Sequence, residues 1–377
     1  MNEPNEARLM IAASETDADM YYATRFLAPD PFIFFQIGAK KHLLMSDLER
    51  DRARTQAQVD HVLSLSEYQE KAKKNHTDEE PSQIDALHEV LQEKNITHLN
   101  VPRAFSIATA DDLRERGYKV EFPEGAYWPE REIKTPDEIE HIREIQQHTE
   151  MAMDAAITLI RNSEIRGDRL YHNGEPLTSE TVKREIKFLL LERDCTAGHT
   201  IVAGGDQACD PHNEGTGPLH AHQSIIIDIF PRSNITGYFA DLTRTVVKGK
   251  PSADLQNIYD AVLAGQNLVL DSIRADADGQ AIHRALTELF ENRNFETGNI
   301  DGRMQGFFHG TGHGLGLEIH EPPRIGKTPG TLCAGHIVTV EPGLYYPGRG
   351  AVRIEDLAVV TEDGLENLTT YPKFLEV

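Results

Sequence analysis

Residues 225–245 read IIIDIFPRSNITGYFADLTRT, and this stretch decides the fold. Its three isoleucines followed by Asp228 are typical of a short buried strand, where an ionised carboxylate is strongly disfavoured unless a cation balances it. A turn rich in proline, asparagine and glycine follows, and Asp241 begins the next apolar run. We therefore predict that Asp228 and Asp241 lie on adjacent antiparallel strands, with their carboxylates close together and cations between them.

Three further potential ligands follow Asp228 and Asp241 along the chain. His313 lies in HGTGHGLGLEIHEPP (residues 309–323), where the glycines prevent a regular helix and allow the backbone to approach another group, such as a metal centre, closely. Glu341 and Glu355 each follow a strand-like run, as Asp228 does. A single aspartate after a strand is usually a turn or capping residue, but five such residues in order favour a shared metal site.

The ligand types indicate which metals the site would bind. Four carboxylates carry a charge of −4, which two divalent cations balance, so a binuclear site in a partly dry pocket is electrostatically reasonable. One imidazole among four carboxylates is an oxygen-rich set that favours Mn²⁺, Co²⁺ or Fe²⁺, with Zn²⁺ as an alternative. The residues alone do not choose among these ions.

Composition excludes several classes of partner. The chain has 377 residues and a formal net charge of −23, which argues against a nucleic acid or an anionic membrane surface. Residues 1–20 have no basic start followed by an apolar run, and no later run is long enough to span a bilayer. The three cysteines are few and far apart, which is typical of reduced thiols. We therefore predict a cytoplasmic protein.

The length favours two domains, with a boundary near Trp128 and Pro129. Residues 1–130 combine strand-like runs at 32–35 and 42–45 with a helical stripe, which predicts a small α/β domain. The charged stretch at residues 70–81 is interpreted as a solvated loop or helix surface.

Residues 131–377 form the predicted second domain. Thr135, Pro136 and Glu138 provide a capping box with proline at the first helical position, so a long helix is expected to begin there. Its predicted apolar stripe is Ile139, Ile142, Ala152, Ala156 and Ile160. Further helices are predicted at 180–191 and 251–270, and strands at 200–202, 225–229, near 247, 337–340, 351–354 and 357–360. The resulting sheet should be rich in antiparallel pairs.

Four motifs in this order resemble the M24 metallopeptidase family, the creatinase, prolidase and methionine-aminopeptidase group with the pita-bread fold. They are residues 225–245, 309–323, TVEPGLYYPG at 339–348 and VRIED at 352–356. The resemblance implies an α+β chain with a C-terminal pita-bread (creatinase/aminopeptidase) domain, residues 131–377, after a smaller N-terminal α/β creatinase-like domain, residues 1–130. That N-terminal domain favours the Xaa-Pro aminopeptidase and prolidase group over methionine aminopeptidases, and the complete ligand set argues against creatinases.

The resemblance also implies roles for the ligands. Asp228 would bind one metal ion, Asp241 and Glu355 would bridge both ions, and His313 and Glu341 would complete the second. Glu341 would also shuttle protons. The ions would be two divalent metals, with Mn²⁺ first and Co²⁺, Fe²⁺ or Zn²⁺ as alternatives.

Five further residues match the family's site. His320 is similar to a histidine that contacts substrate and assists proton movement, and His212 to its active-site partner. His309 is similar to another histidine that lines the site and binds substrate. Arg353 resembles the arginine that holds a ligand aspartate in place, and Arg324 resembles the one that prolidases use against a substrate carboxylate.

The implied function is an Xaa-Pro aminopeptidase, which removes the N-terminal residue of a small peptide with proline at its second position. An Xaa-Pro dipeptidase (prolidase) is the close alternative, and a non-catalytic pita-bread binding module is a third. The resemblance implies a homo-oligomer, either a dimer or a tetramer. The interval from Asp228 to Asp241 is two residues longer than in most members, which predicts a longer hairpin tip and no lost ligand.

Overall fold

The computed structural model describes residues 5–75 and 80–377. Backbone contacts divide the chain into two units, Met1–Arg131 and Glu132–Val377. Two stretches for which the sequence made predictions lie partly outside the described residues: positions 1–4 of the N-terminal segment and positions 76–79 of the charged stretch. Among the residues described, helices long and apolar enough to cross a membrane are absent.

The first unit is built on one mixed sheet with the strand order β4-β3-β2-β1-β5-β6. Its strands are β1 (Glu6–Ala12), β2 (Phe32–Ile37), β3 (Lys40–Met45), β4 (His61–Ser64), β5 (His98–Asn100) and β6 (Lys119–Glu121). Its helices are α1 (Ala18–Thr24), α2 (Arg50–Gln56), α3 (Leu65–Asn75), α4 (Gln83–Glu93) and α5 (Ile107–Glu115).

Both faces of this sheet are buried, which explains the continuous apolar runs in its central strands. Along β2, Ile33 and Phe35 join one core cluster, while Phe32 and Phe34 join another. The predicted helical stripe lies on α4 and belongs to the first of these clusters. The predicted helix is therefore confirmed, and so are the predicted strand runs at residues 32–35 and 42–45.

The α-helices of the second unit, all of whose residues the structure describes, are α6 (Pro136–Arg161), α7 (Ser179–Leu191), α8 (Ala253–Ser272) and α9 (Gly279–Asn292). Its strands are β7 (Glu164–Arg166), β8 (Arg169–His172), β9 (Glu175–Pro176), β10 (Cys195–Thr196), β11 (Ile201–Gly204), β12 (Ile225–Ile229), β13 (Arg232–Ser233), β14 (Leu242–Val246), β15 (Gly298–Ile300), β16 (Arg303–Gln305), β17 (Gly312–Gly314), β18 (Glu321–Ile325), β19 (Ile337–Val340), β20 (Gly343–Tyr346), β21 (Gly350–Arg353), β22 (Asp356–Val360) and β23 (Leu365–Asn367).

The predicted start of α6 is confirmed. Thr135 caps the helix, Glu138 completes the capping box and proline occupies the first turn. The predicted apolar stripe is wrong at one position, because Ile139 is only half-buried. Glu138 is buried beside it and accepts a hydrogen bond of 2.5 Å from the hydroxyl of Tyr238.

Two antiparallel sheets carry the predicted ligands. One has the order β11-β12-β14 and packs against α6; the other has the order β18-β17-β19-β22-β23 and packs against α8 and α9. The predicted antiparallel pairing is therefore confirmed, but the strands form separate sheets and not the single sheet that was predicted. Helix α9 was not predicted from the sequence, although Ile282, Leu286 and Phe290 follow at four-residue spacing and all are buried.

The connection between Asp228 and Asp241 differs from the simple turn that was predicted. Asp228 lies in β12 opposite Thr243, and β14 begins at Leu242, so Asp241 immediately precedes the paired strand. Between them, the two-residue strand β13 pairs with β10. Part of the longer connection therefore forms strand β13, which lies outside the β11-β12-β14 sheet.

Candidate metal centre

The five predicted ligands line one cavity of about 1220 Å³ in the second unit. They come from five separate places: Asp228 from β12, Asp241 from the residue before β14, His313 from β17, Glu341 from the residue after β19, and Glu355 from the residue before β22. Residues up to 127 positions apart in sequence therefore converge because the two sheets meet at these strand ends.

His313 presents one nitrogen to the carboxylates. Its Nε2 lies 3.5 Å from Glu341 Oε1 and 3.8 Å from Asp241 Oδ2. Its Nδ1 lies 3.1 Å from the carbonyl oxygen of Gly314, which can only accept, so Nδ1 carries the hydrogen. Because this bond fixes the tautomer, Nε2 retains the lone pair that a metal ligand needs.

Potential ligand atoms of Asp241, His313 and Glu355 all lie within 4.8 Å of one another. One oxygen on each of Asp228, Asp241 and Glu355 is buried without any hydrogen-bond partner. A buried unsatisfied polar atom costs about 1–3 kcal/mol, and more when it is charged, so three at one place need a common explanation. Divalent cations bound by this oxygen-rich set satisfy all three, and the residues therefore fit a metal centre.

Burial and mutual repulsion raise the pKa values of the carboxylates when no cation is bound. Burial, followed by the nearby Glu355 and Asp228, raises the pKa of Asp241 well above its usual range. Burial, followed by Glu341 and Asp228, does the same to the pKa of Glu355. Burial is also the main cause that raises the pKa of Glu341 to about 7. The site is therefore costly to keep ionised unless positive charge enters it.

Arg353 is the cation that the apolar setting of Asp228 required. Its guanidinium donates a hydrogen bond of 2.7 Å to Asp228 Oδ2, and both side chains are buried. The same guanidinium donates to the hydroxyl of Thr243 at 3.3 Å, and Thr243 donates to Glu355 Oε2 at 2.8 Å. Two of the carboxylates are thus oriented by one continuous network, while their other oxygens remain without partners.

A second chain of hydrogen bonds runs from Arg353 to His309. Arg353 donates to the Tyr345 hydroxyl at 3.0 Å, and that hydroxyl lies 3.0 Å from His309 Nε2. His309 Nδ1 lies 2.7 Å from the carbonyl oxygen of Gly310, so Nδ1 is the donor and Nε2 accepts from Tyr345. Both nitrogens of His309 are engaged, so the predicted substrate contact would require one of these bonds to break.

The other predicted site residues also line the cavity: His212, His320 and Arg324. The rings of His320 and His313 are perpendicular, with their centroids 4.4 Å apart. Arg324 is paired with His313 across β17 and β18, which puts both side chains on the same face of the sheet. Burial and the neighbouring Arg324 lower the pKa of His320, so its imidazole is neutral near pH 7.

The glycines around His313 have a different role from the one predicted. A Cβ on Gly312 would collide with the backbone carbonyl of Thr339, and one on Gly314 would collide with that of Pro322. Gly312 and Gly314 are therefore needed because the backbones of the neighbouring strands pass close to β17. The close approach of a metal centre, which the sequence suggested, does not explain these two glycines.

Sequence reasoning missed two residues of the site, Thr243 and Tyr345. Thr243 is two positions after Asp241, and residues two apart in a strand lie on one face, which is a signal that the sequence offered. Tyr345 is fully buried among aromatic rings, and nothing in the sequence distinguishes it from the adjacent Tyr346.

The chain is similar in sequence and fold to known proteins. The chain is 29% identical over 290 residues to the Xaa-Pro dipeptidase of Pyrococcus furiosus, covering 76% of this chain and 77% of that protein. The solved Xaa-Pro dipeptidase from Bacillus anthracis superposes with a TM-score of 0.81 at 24% identity, covering 98% of this chain and 95% of that one. The X-Pro aminopeptidase from Thermotoga maritima gives a TM-score of 0.81 at 22% identity, covering 99% and 97%.

These likenesses confirm the predicted α+β class and the pita-bread fold. The model of metallopeptidase family M24 matches residues 140–362, which is more than half of the chain and includes every predicted metal ligand. The chain therefore belongs to metallopeptidase family M24.

Proposed function

We propose that this chain is a binuclear metal-dependent peptidase that removes the N-terminal residue preceding proline. The observation that carries the proposal is the set of three buried carboxylate oxygens without partners, on Asp228, Asp241 and Glu355, in one cavity with His313. The similarity to the Xaa-Pro dipeptidase of Pyrococcus furiosus supports a substrate with proline at its second position.

Asp228, Asp241, His313, Glu341 and Glu355 would hold the two ions. Oxygen-rich ligands with a single imidazole support Mn²⁺ as the first choice, with Co²⁺, Fe²⁺ and Zn²⁺ as alternatives. When bound, such ions polarise a peptide carbonyl and make water more acidic. Arg353 orients Asp228 through a hydrogen bond and Thr243 orients Glu355, so these two side chains preorganise the proposed ligands.

The residues proposed to handle protons and substrate surround the ligands. Glu341 Oε1 lies 3.5 Å from His313 Nε2 in the cavity, and a carboxylate at this position is proposed to accept and return a proton during catalysis. Neutral His320 can donate from one nitrogen and accept at the other, so it suits proton movement towards the leaving amine. His212 lines the same cavity and is proposed to contact the substrate with His320.

Two observations bear on the length of the substrate. The cavity of about 1220 Å³ exceeds the ~300–1,000 Å³ of pockets for drug-sized ligands, which supports an aminopeptidase that accepts peptides longer than two residues. Arg324 lies in the cavity opposite His313, where a guanidinium suits a free carboxylate, and this supports the dipeptidase as the second candidate. The aminopeptidase remains our first choice.

Peptides of two lengths separate these candidates. With added Mn²⁺, an Xaa-Pro aminopeptidase should hydrolyse Gly-Pro-Ala between glycine and proline at least about tenfold faster than it hydrolyses Gly-Pro, because only the longer chain fills the cavity. Release of glycine is measured by chromatography at equal substrate concentrations. Gly-Ala-Ala is the matched control for proline and should be a poor substrate. Cleavage of Gly-Pro alone would overturn the aminopeptidase in favour of the dipeptidase.

The non-catalytic binding module makes the opposite prediction. Such a protein would carry no stoichiometric metal, and Glu341→Gln would leave its function unchanged. Metal content of the purified protein, measured by atomic emission, separates the two: two divalent ions per chain support the peptidase, and fewer than one supports the binding module.

The resemblance also leads us to propose a homo-oligomer, a dimer or a tetramer of the 42.2-kDa chain, acting in the cytoplasm. The three cysteines are free, and two of them are buried, in keeping with a reducing compartment. Light scattering coupled to size exclusion measures the mass, and a monomer at micromolar concentration would contradict the oligomer.

A further inference from the structure

Gln266 is a polar side chain in the middle of an apolar core. It lies on α8, is fully buried and is surrounded by the cluster that contains Val262, Val269, Val340 and Ile354. Its Oε1 has no hydrogen-bond partner. Burying this amide costs desolvation free energy and leaves one oxygen orphaned, so the presence of a glutamine here has to be explained by what its N–H groups bind.

The hydrogen bonds of Gln266 lead directly to two of the metal ligands. Its Nε2 donates to the carbonyl oxygen of Val340 at 3.1 Å and to that of Ile354 at 3.2 Å. Both partners are carbonyls, which can only accept, so the nitrogen must face them. Val340 and Ile354 immediately precede Glu341 and Glu355. One amide group therefore links the two peptide units from which these ligands project.

Gln146 on α6 contacts the backbone of a third predicted ligand, Asp241, in a similar way. It is fully buried, and its Oε1 accepts a hydrogen bond of 3.3 Å from the backbone nitrogen of Asp241. Its Nε2 donates to the Thr369 hydroxyl at 2.8 Å, and this hydroxyl accepts from the backbone nitrogen of Leu357 at 2.8 Å. Leu357 lies two residues after Glu355, so Gln146 connects Asp241 to the strand next to Glu355.

We propose that Gln146 and Gln266 are positioning residues that fix the spacing of Asp241, Glu341 and Glu355, and so set the affinity of the site for its metal ions. The proposal rests on the proposed function. Each glutamine belongs to a helix that packs on a different sheet, α6 on the sheet of β14 and α8 on the sheet of β19. The helices thus hold the ligand backbones through Gln146 and Gln266, which do not line the cavity.

A purely structural role and a positioning role predict different results. Gln266→Met keeps the length and removes both N–H donors, so the two peptide groups are free to shift. Substitutions behind metal ligands typically weaken binding 10–100-fold, and we expect that range for Mn²⁺. Gln266→Glu keeps the shape, but a carboxyl group cannot donate to two carbonyls, so it should also weaken binding at least tenfold.

Isothermal titration calorimetry of the full chain with Mn²⁺ measures the affinity, and denaturant unfolding of the metal-free protein measures stability. Val269→Ala is the matched control, because Val269 is fully buried one turn along α8 and offers no hydrogen bond. It should lose stability and keep the wild-type affinity for Mn²⁺. At saturating Mn²⁺, the Gln266 variants should recover much of kcat with little change in KM, because the substrate contacts are untouched.

The outcomes separate this inference from the proposed function. Wild-type affinity in both Gln266 variants would overturn the inference and leave the peptidase standing. A wild-type chain that binds no Mn²⁺, Co²⁺, Fe²⁺ or Zn²⁺ would overturn the proposed function itself. If the Gln266 variants do not fold, Gln146→Met decides, since it removes the acceptor of Asp241 from a different helix: weakened binding supports the proposal and unchanged binding overturns it.

Discussion

Replacing Glu355 with glutamine should lower kcat/KM by roughly 10³-fold or more, because a neutral amide is a poor substitute for a carboxylate proposed to hold the divalent cations. Metal-ion stabilisation of a transition state is worth several kcal/mol, and each ~1.4 kcal/mol is a factor of ten in rate. The metal-free fold should be at least as stable as the wild type. Burial and the neighbouring Glu341 raise the pKa of Glu355, so a neutral side chain is preferred there.

Opposite changes in activity and stability distinguish a functional carboxylate from a structural one. Activity on Gly-Pro-Ala with saturating Mn²⁺ and urea unfolding in a chelator are measured on the same preparations. Glu362→Gln makes the same chemical change at an exposed position and should alter neither quantity. Activity of Glu355→Gln within tenfold of the wild type would remove Glu355 from the proposed ligands.

Glu341→Gln should stabilise the metal-free protein by an amount that grows with pH. The folded pKa of Glu341 is about 7, against 4.5 in an unperturbed chain, so between these values the folded state binds a proton that the unfolded state has released. Stability from this group is therefore present at low pH and lost as pH rises through 7. The full difference corresponds to on the order of 3 kcal/mol for a rise from 4.5 to about 7.

The stability of Glu341→Gln has to be compared with that of the wild type at each pH, because buried histidines change the stability with pH in the opposite direction. Burial lowers the pKa of His42 to about 4 and that of His313 to about 3, so stability from these groups rises with pH from there to about 6.5. His42 contributes equally to both proteins and cancels. Urea unfolding in a chelator at pH 5.0 and 7.5 measures the difference, and a gap that stays constant or shrinks would contradict the assignment of Glu341.

Adding Mn²⁺ at pH 7.5 should make the wild type more stable than Glu341→Gln, which is the reverse of the order expected without metal. The wild type should gain stability from the ion because all four carboxylates are then ionised, whereas Glu341→Gln retains only three and should gain less.

The sequence by itself determined the candidate ligands, their order along the chain and much of the local structure. Asp228 after three isoleucines, and Glu341 after a four-residue apolar run, are signals carried by adjacent residues, so no distant contact was needed to find them. The start of α6 was equally local, because its capping box and proline act within one turn. The resemblance to the M24 family rests on four such short motifs.

Only the tertiary structure decided how these residues meet. It gave Asp228 its hydrogen bond with Arg353, fixed the tautomer of His313 through Gly314, and engaged both nitrogens of His309. It also placed Gln266 behind two proposed ligands, in contact with the carbonyl oxygens of Val340 and Ile354, which are 74 and 88 residues away in sequence. The physical reason is the separation in sequence of the residues that interact. Strand and cap patterns arise between near neighbours. Burial, charge pairing and backbone support depend on which distant segments the folded sheets and helices bring into contact.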